Sequence, residues 1–209
     1  MSIEIEKNIR LRKETDRIMW FSMWVLLSVV TFGIGWFLMI YFLIKRRNAH
    51  FSRQTRLETL TLSKLKQLKE EKQQHYNSTS DFTKEETPIL QRNAQAWALS
   101  TILIVPAFYI FYFLKSDLQR HEEHEHAFLM EVIPLAKDLG LEMNIDNFVV
   151  TKKFAFNRYL FLTIITFGFA AVYWLHWVFN DYNRHFKAQW KLEDELRMFF
   201  DSIDNSETS

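Results

Sequence analysis

Thr31-Phe32-Gly33-Ile34-Gly35-Trp36, continuing through Tyr41 to Asn48-Ala49-His50-Phe51 and on to Gln54, Leu57 and Glu58, is written a second time 135 residues later. The second copy reads Thr166-Phe167-Gly168, then Tyr173-Trp174, Asn183-Arg184-His185-Phe186, Gln189, Leu192 and Glu193. The offset holds without a gap. Self-similarity at a fixed spacing marks a repeated structural unit, so the function must belong to that unit.

The surrounding composition says where the units sit. Ile18 to Ile44, Ala94 to Leu114 and Tyr159 to Phe179 carry no charge, while the rest of the 209 residues is densely charged. Each block exceeds the ~18 apolar residues that mark a bilayer-embedded segment. Six of the tryptophans (Trp20, Trp24, Trp36, Trp97, Trp174 and Trp177) lie in or beside the blocks, as interfacial anchors do. The pattern predicts an all-α integral membrane protein of the cell membrane. No signal peptide is evident, because the first block begins only after the mixed-charge start Glu4, Glu6, Lys7, Arg10 and Arg12. The absence of cysteine excludes disulfides and thiolate chemistry.

Tested against the repeat at an offset of 71, the middle of the chain supplies a degenerate third copy. Tyr41-Phe42-Leu43 falls on Tyr112-Phe113-Leu114, His50 on His121, Asn48 on Gln119 and Gly35 on Pro106. The units then run over 1–76, 88–140 and 154–203, with membrane segments at 18–44, 94–114 and 154–180. A linker at 77–87, a connector at 141–153 and a tail at 204–209 separate or follow them. Asn77-Ser78-Thr79 in the linker region matches a glycosylation sequon, meaningful only on a lumenal face. Each unit leaves the apolar block as an amphipathic polar helix. Leu57, Leu60, Leu65 and Leu68 share one face, as do Phe128, Val132 and Leu135, and Leu192, Leu196 and Phe199. Thr87-Pro88 reads as the start of the helix entering the middle block, and Gly140 as the stop of the helix leaving it.

A block can be one span or a hairpin. A straight helix of the first block would measure ~40 Å, against a hydrocarbon core of ~30 Å. Three observations favour hairpins. Glycine is scarce, yet Gly33, Gly35 and Gly168 all lie in the central breaks. Lys and Arg occur on every polar stretch, as expected if all of them share the cytoplasmic face. Single spans would also invert the middle copy. The breaks are expected at Thr-Phe-Gly and at Val105-Pro106. The basic run Lys45-Arg46-Arg47 reads as a snorkelling, topology-fixing cluster rather than a nucleic-acid site.

Leu26-Leu27-Ser28-Val29-Val30-Thr31-Phe32-Gly33-Ile34-Gly35-Trp36, followed by Tyr41, resembles a prokaryotic integral membrane family of unknown function. That family carries repeats of the form Leu-Ser-Ile-Val-Thr-x-Gly-Ile-Tyr-x-x-Tyr-Trp. Thr163 to Trp174 is similar to the same pattern, with Phe169 in place of Ile. The middle copy lacks both Thr and Gly. The resemblance implies a membrane hairpin module and supplies no reaction.

Chemistry concentrates in histidine. His50, His121 and His185 occupy equivalent places just outside the apolar blocks. Three imidazoles from three packed helices could converge on zinc or manganese, since neutral His is a good ligand. His124 stands one turn from His121 and could join them. His176 lies inside the third block at the position of Tyr41 and Tyr112, a placement that raises a haem or proton-relay role beside a plain inter-unit hydrogen bond. No phosphate-cradling loop, nucleophile elbow, His-Glu-x-x-His or carboxylate dyad is present, which argues against an enzyme. The leading expectation is a non-enzymatic scaffold or accessory subunit, in contact with membrane lipids, docking a protein partner or a second copy through cytoplasmic helices. A metal- or haem-binding membrane protein is the alternative. A small channel or transporter ranks third, because the blocks offer few polar residues to line a path.

Overall fold

The computed structural model describes residues 3–73, 91–139 and 155–207, all of whose regular structure is helical. The expected linker with its sequon, Thr87-Pro88, Gly140 and the whole connector lie outside the described residues. Each apolar block is a hairpin of a short helix and the start of a long one. Helix α3 (Phe21–Val30) turns into α4 (Ile34–Gln73), α5 (Ala94–Ser100) into α6 (Ile104–Asp138), and α7 (Phe156–Ile165) into α8 (Phe169–Glu207). Two further helices, α1 (Ile3–Arg10) and α2 (Arg12–Thr15), precede them.

The two Thr-Phe-Gly turns are built alike. Gly33 and Gly168 sit at φ +93° and +94°, a region open to glycine because it has no Cβ. The preceding Phe32 and Phe167 are also left-handed, at 49° and 50°. The threonine joins the two helices it separates. Thr31 Oγ1 donates to Leu27 O at 2.6 Å and accepts from Gly35 N at 2.8 Å. Thr166 Oγ1 does the same with Leu162 O and Ala170 N, at 2.7 and 2.9 Å. Gly33 N donates to Ser28 O and Gly168 N to Thr163 O, which satisfies carbonyls freed at the helix ends. Gly35 has a second reason to be glycine: a Cβ there would lie 2.6 Å from Ser28 N on the facing helix.

The middle turn falls at Thr101 to Leu103, earlier than the expected Val105-Pro106. Pro106 instead occupies the first turn of α6, where its missing N–H has no intrahelical acceptor to lose. Asn93 caps α5 by accepting from Ala96 N at 3.0 Å.

α4, α6 and α8 run side by side in one direction. Near the hairpins, Ile40, Leu43, Ile110, Leu114, Trp174 and Phe179 close one core. Farther along, Leu57, Leu65, Phe128, Val132, Leu196 and Phe200 close a second, joined by Ile5 and Ile9 of α1. The predicted leucine stripes therefore face one another. Trp36 Nε1 donates to Thr101 Oγ1 at 3.1 Å, linking the first two hairpins near their tips.

No helix among the described residues is long and apolar enough to cross a membrane. The blocks expected as membrane segments at 18–44, 94–114 and 154–180 fold as hairpins, the arrangement favoured over single spans, and each long helix turns charged after its apolar start. The basic run also departs from expectation. Lys45 alone is exposed, its ammonium 5.6 Å from the Tyr41 ring. Arg47 is buried on Asp117 at 2.9 Å, and Arg46 is buried against Phe179, Tyr182 and Phe186.

Candidate metal centre

Between the two cores lies a polar tier made from the three long helices. His50 of α4, His121 of α6 and His185 of α8 form a near-equilateral triangle, with ring centroids 5.1, 5.2 and 5.3 Å apart. One ligand nitrogen from each lies within 4.8 Å of the others. Repeat equivalence explains the convergence: helices in the same direction and register bring the same residue to the same level. The rings stand steeply to one another, at 74° to 86°, so their edges rather than their faces meet.

The partners of the outer nitrogens define the chemistry of the inner ones. His50 Nδ1 lies 2.8 Å from Asp16 Oδ1, and His185 Nδ1 lies 3.4 Å from Glu122 Oε1. An imidazole that donates Nδ1–H to a carboxylate presents a lone pair on Nε2. The two Nε2 atoms face each other at 3.1 Å. Two lone pairs at that separation repel unless a proton or a cation lies between them. Tetrahedral zinc with Zn–N ~2.0–2.1 Å sets its nitrogens roughly 3.3 Å apart, close to this spacing. His121 Nε2 is buried with no hydrogen-bond partner, and the ring stacks on Phe51 at 4.2 Å.

Burial keeps His50 and His121 neutral. His50 is fully buried, and desolvation takes its pKa down to about 4 despite the opposing pull of Asp16. Desolvation, reinforced by the neighbouring His185 and His50, holds His121 well below the ordinary histidine value. Both rings are therefore deprotonated and ready to ligate at neutral pH.

Carboxylates surround the triangle. Burial alone would raise Asp16, but His50 and Arg53 outweigh it and hold the carboxyl well below the usual range. Arg53 bridges Asp16 at 2.7 Å and Glu193 at 2.6 Å, while Trp190 Nε1 donates to Asp16 at 3.0 Å. Burial pushes Glu193 up to about 7 against the pull of Arg53. One turn beyond the histidines, the repeat-equivalent Gln54, Glu125 and Gln189 are all buried. Glu125 is raised well above its ordinary value by burial and by Glu58, Glu122 and Glu193. The interior here is rich in acid, an environment suited to a divalent cation.

His124 stands outside the triangle. Its side chain is 40% exposed and its Nδ1 lies 3.3 Å from Glu58 Oε2. His176 is half-buried, 2.8 Å from Asn180 Nδ2 and edge-on to Phe21. Neither is near enough to share a ligand with the other three. A porphyrin does not fit the triangle either, since three rings at such short separations leave no slot for a macrocycle. Asp16 is the residue that sequence reasoning missed. It belongs to the mixed-charge start, lies outside the repeat and shares no local motif with His50.

No family model, curated protein or solved structure matches the chain.

Proposed function

We propose that this chain is a metal-binding protein held in one leaflet of a membrane by three apolar hairpins, with zinc at His50, His121 and His185. The observation that carries the metal reading is the 3.1 Å approach of His50 Nε2 to His185 Nε2, each ring backed by a carboxylate on its other nitrogen. Zinc held by three imidazoles keeps a fourth position, which a water or a nearby carboxylate would fill. His50 and His185 are only 0% and 2% exposed, which leaves a substrate no open approach. The metal then acts as a clamp that locks the three units in register rather than as a catalyst.

The hairpin tips support the membrane anchor. Phe32 and Phe167 are 98% and 95% exposed, and Ile102 and Leu103 expose the equivalent end of the middle unit. Left-handed backbone costs a non-glycine residue about 1–2 kcal/mol, so a bulky aromatic at the tip of both copies needs a use for its side chain. Burial in acyl chains is such a use. α3 and α7, of ten residues each, reach about 15 Å, roughly half the ~30 Å hydrocarbon core. Polar arms on one side of the bilayer then follow, with the cytoplasmic face favoured by their Lys and Arg.

The scaffold reading has less support, because the leucine stripes that would dock a partner are used within the second core. A channel has less still, since Trp174, Phe179 and Ile110 fill the bundle at the hairpin level.

Elemental analysis of the purified full chain tests the metal assignment. One zinc per chain, lost in His185→Ala and His121→Ala, is the expected result. A metal-free protein that takes up no zinc after dialysis against it would sink the assignment.

A further inference from the structure

A groove of about 750 Å³ runs beside the first hairpin, from the end of α2 down the outer side of α3. Its two ends differ in chemistry. Met23, Trp24, Leu27, Val30 and Phe42 line the part toward the tip, and Arg17, Lys45 and Arg46 line the part level with the polar arms. Among the described residues Glu14 is the single acid on the wall, leaving two net positive charges.

Arg46 is the decisive member. It is 4% exposed, and its Nη1 donates to Arg17 O at 3.1 Å and Asn183 Oδ1 at 3.0 Å. Its Nε and Nη2 are buried with no hydrogen-bond partner among the described residues. Among the described residues no carboxylate lies within ion-pair distance of Arg46, Arg17 or Lys45. The repeat makes this unusual, because the positions equivalent to Arg46 are Asp117 and Asp181, and both of those are paired with cations. A buried guanidinium without a counter-charge is costly unless an anion completes it. The apolar wall of α3, ten residues or about 15 Å long, matches the reach of one acyl chain through one leaflet.

We propose that this groove holds one anionic phospholipid, its phosphate at Arg17, Lys45 and Arg46 and an acyl chain along Met23, Leu27 and Val30. The exposed guanidinium of Arg17 and the flexible ammonium of Lys45 can take a phosphodiester oxygen pair, whose charge then stands beside the buried, uncompensated Arg46. The first unit therefore differs from its siblings: it recognises a headgroup, whereas the others close their equivalent positions with internal ion pairs. The site is independent of the histidine centre.

Native mass spectrometry of the full chain in non-ionic detergent, titrated with phosphatidylglycerol, phosphatidylcholine or inorganic phosphate, tests it. The expected result is one saturable phosphatidylglycerol adduct, preferred over phosphatidylcholine by roughly tenfold or more and not displaced by millimolar phosphate. Arg17 and Lys45 are exposed, so the double variant Arg17→Gln/Lys45→Gln should fold, keep its zinc and lose roughly tenfold or more of that affinity. Arg46→Gln should lose more. Equal binding of the two lipids, unchanged affinity in the double variant, or displacement by inorganic phosphate would overturn the assignment. So would a dimer that phosphatidylglycerol leaves intact, which gives the groove to a second copy. Zinc retained in a variant that has lost the lipid separates this outcome from the metal reading.

Discussion

His50 Nε2 and His185 Nε2, from positions 135 residues apart, meet at 3.1 Å inside the protein while their Nδ1 atoms face Asp16 and Glu122. Each carboxylate orients its ring and raises its basicity, the arrangement that fixes a histidine as a metal ligand. Asp16→Asn should therefore weaken zinc binding by about 10- to 100-fold, with Glu122→Gln in the same range. His50→Gln should abolish it. Competition against a chelator of known affinity separates the two cases, and an Asp16→Asn protein with unchanged affinity would remove the carboxylate from the account.

The metal-free protein should lose stability on acidification. His50 has a folded pKa of about 4 against an ordinary 6.5, so between these values the unfolded chain binds the extra proton. Stability is then fully present above pH 6.5 and declines as pH falls toward 4, by roughly 3 kcal/mol in all. Glu193 acts in the opposite sense. Its folded pKa is raised from 4.5 to about 7, so its contribution is full below 4.5 and is lost as pH rises through 7. Glu125, also raised by burial, acts with Glu193, so these carboxyls offset the His50 decline between pH 4.5 and 6.5, and thermal melts of Glu125→Gln/Glu193→Gln should unmask it. A melting temperature of that double variant that rises on acidification from pH 6.5 to 4 would contradict the His50 assignment.

The hairpin turns give a graded series. Gly33→Ala and Gly168→Ala force a Cβ into left-handed backbone and should each cost about 1–2 kcal/mol. Gly35→Ala should cost more, since its Cβ would lie 2.6 Å from Ser28 N and move α3 away from α4. Thr31→Val removes the hydroxyl that binds both helices and should cost about 1–2 kcal/mol. Denaturant melts give the ranking, and a Gly35→Ala protein as stable as the parent would refute the close packing of the hairpin.

Phe32→Gly/Phe167→Gly should separate anchoring from stability. The change relieves the left-handed strain at both tips, so the fold should be as stable or slightly more so. Burying a phenylalanine is worth about 1.5–3 kcal/mol, so losing two should reduce vesicle partitioning by roughly a hundredfold or more. Flotation with liposomes measures this. Unchanged partitioning would mean that the tips do not enter the acyl region.

Much of this arrangement was legible in the chain itself, because duplication copies local rules. The Thr-Phe-Gly turns, the leucine stripes and the equivalence of His50, His121 and His185 follow from local spacing. The turn at Thr101 to Leu103 was misplaced because Pro106 is a breaker mid-helix but tolerated in a first turn. Arg46 and Arg47 were read as surface charge, since nothing near them in sequence announces Asp117 or the rings of Phe179 and Phe186. Asp16 was missed for the same reason: its partnership with His50 exists only once the N-terminal segment packs across α4. Local periodicity carries no record of such contacts.

Cobalt(II) titration of the metal-free full chain, followed by visible absorption, probes the three-histidine centre itself. Saturation at one cobalt per chain is expected, with the intense bands of a tetrahedral nitrogen-rich site and displacement by zinc. His185→Ala should show none of this. Weak octahedral bands that do not saturate, or an unchanged titration in His185→Ala, would contradict a metal centre built from the three repeated histidines.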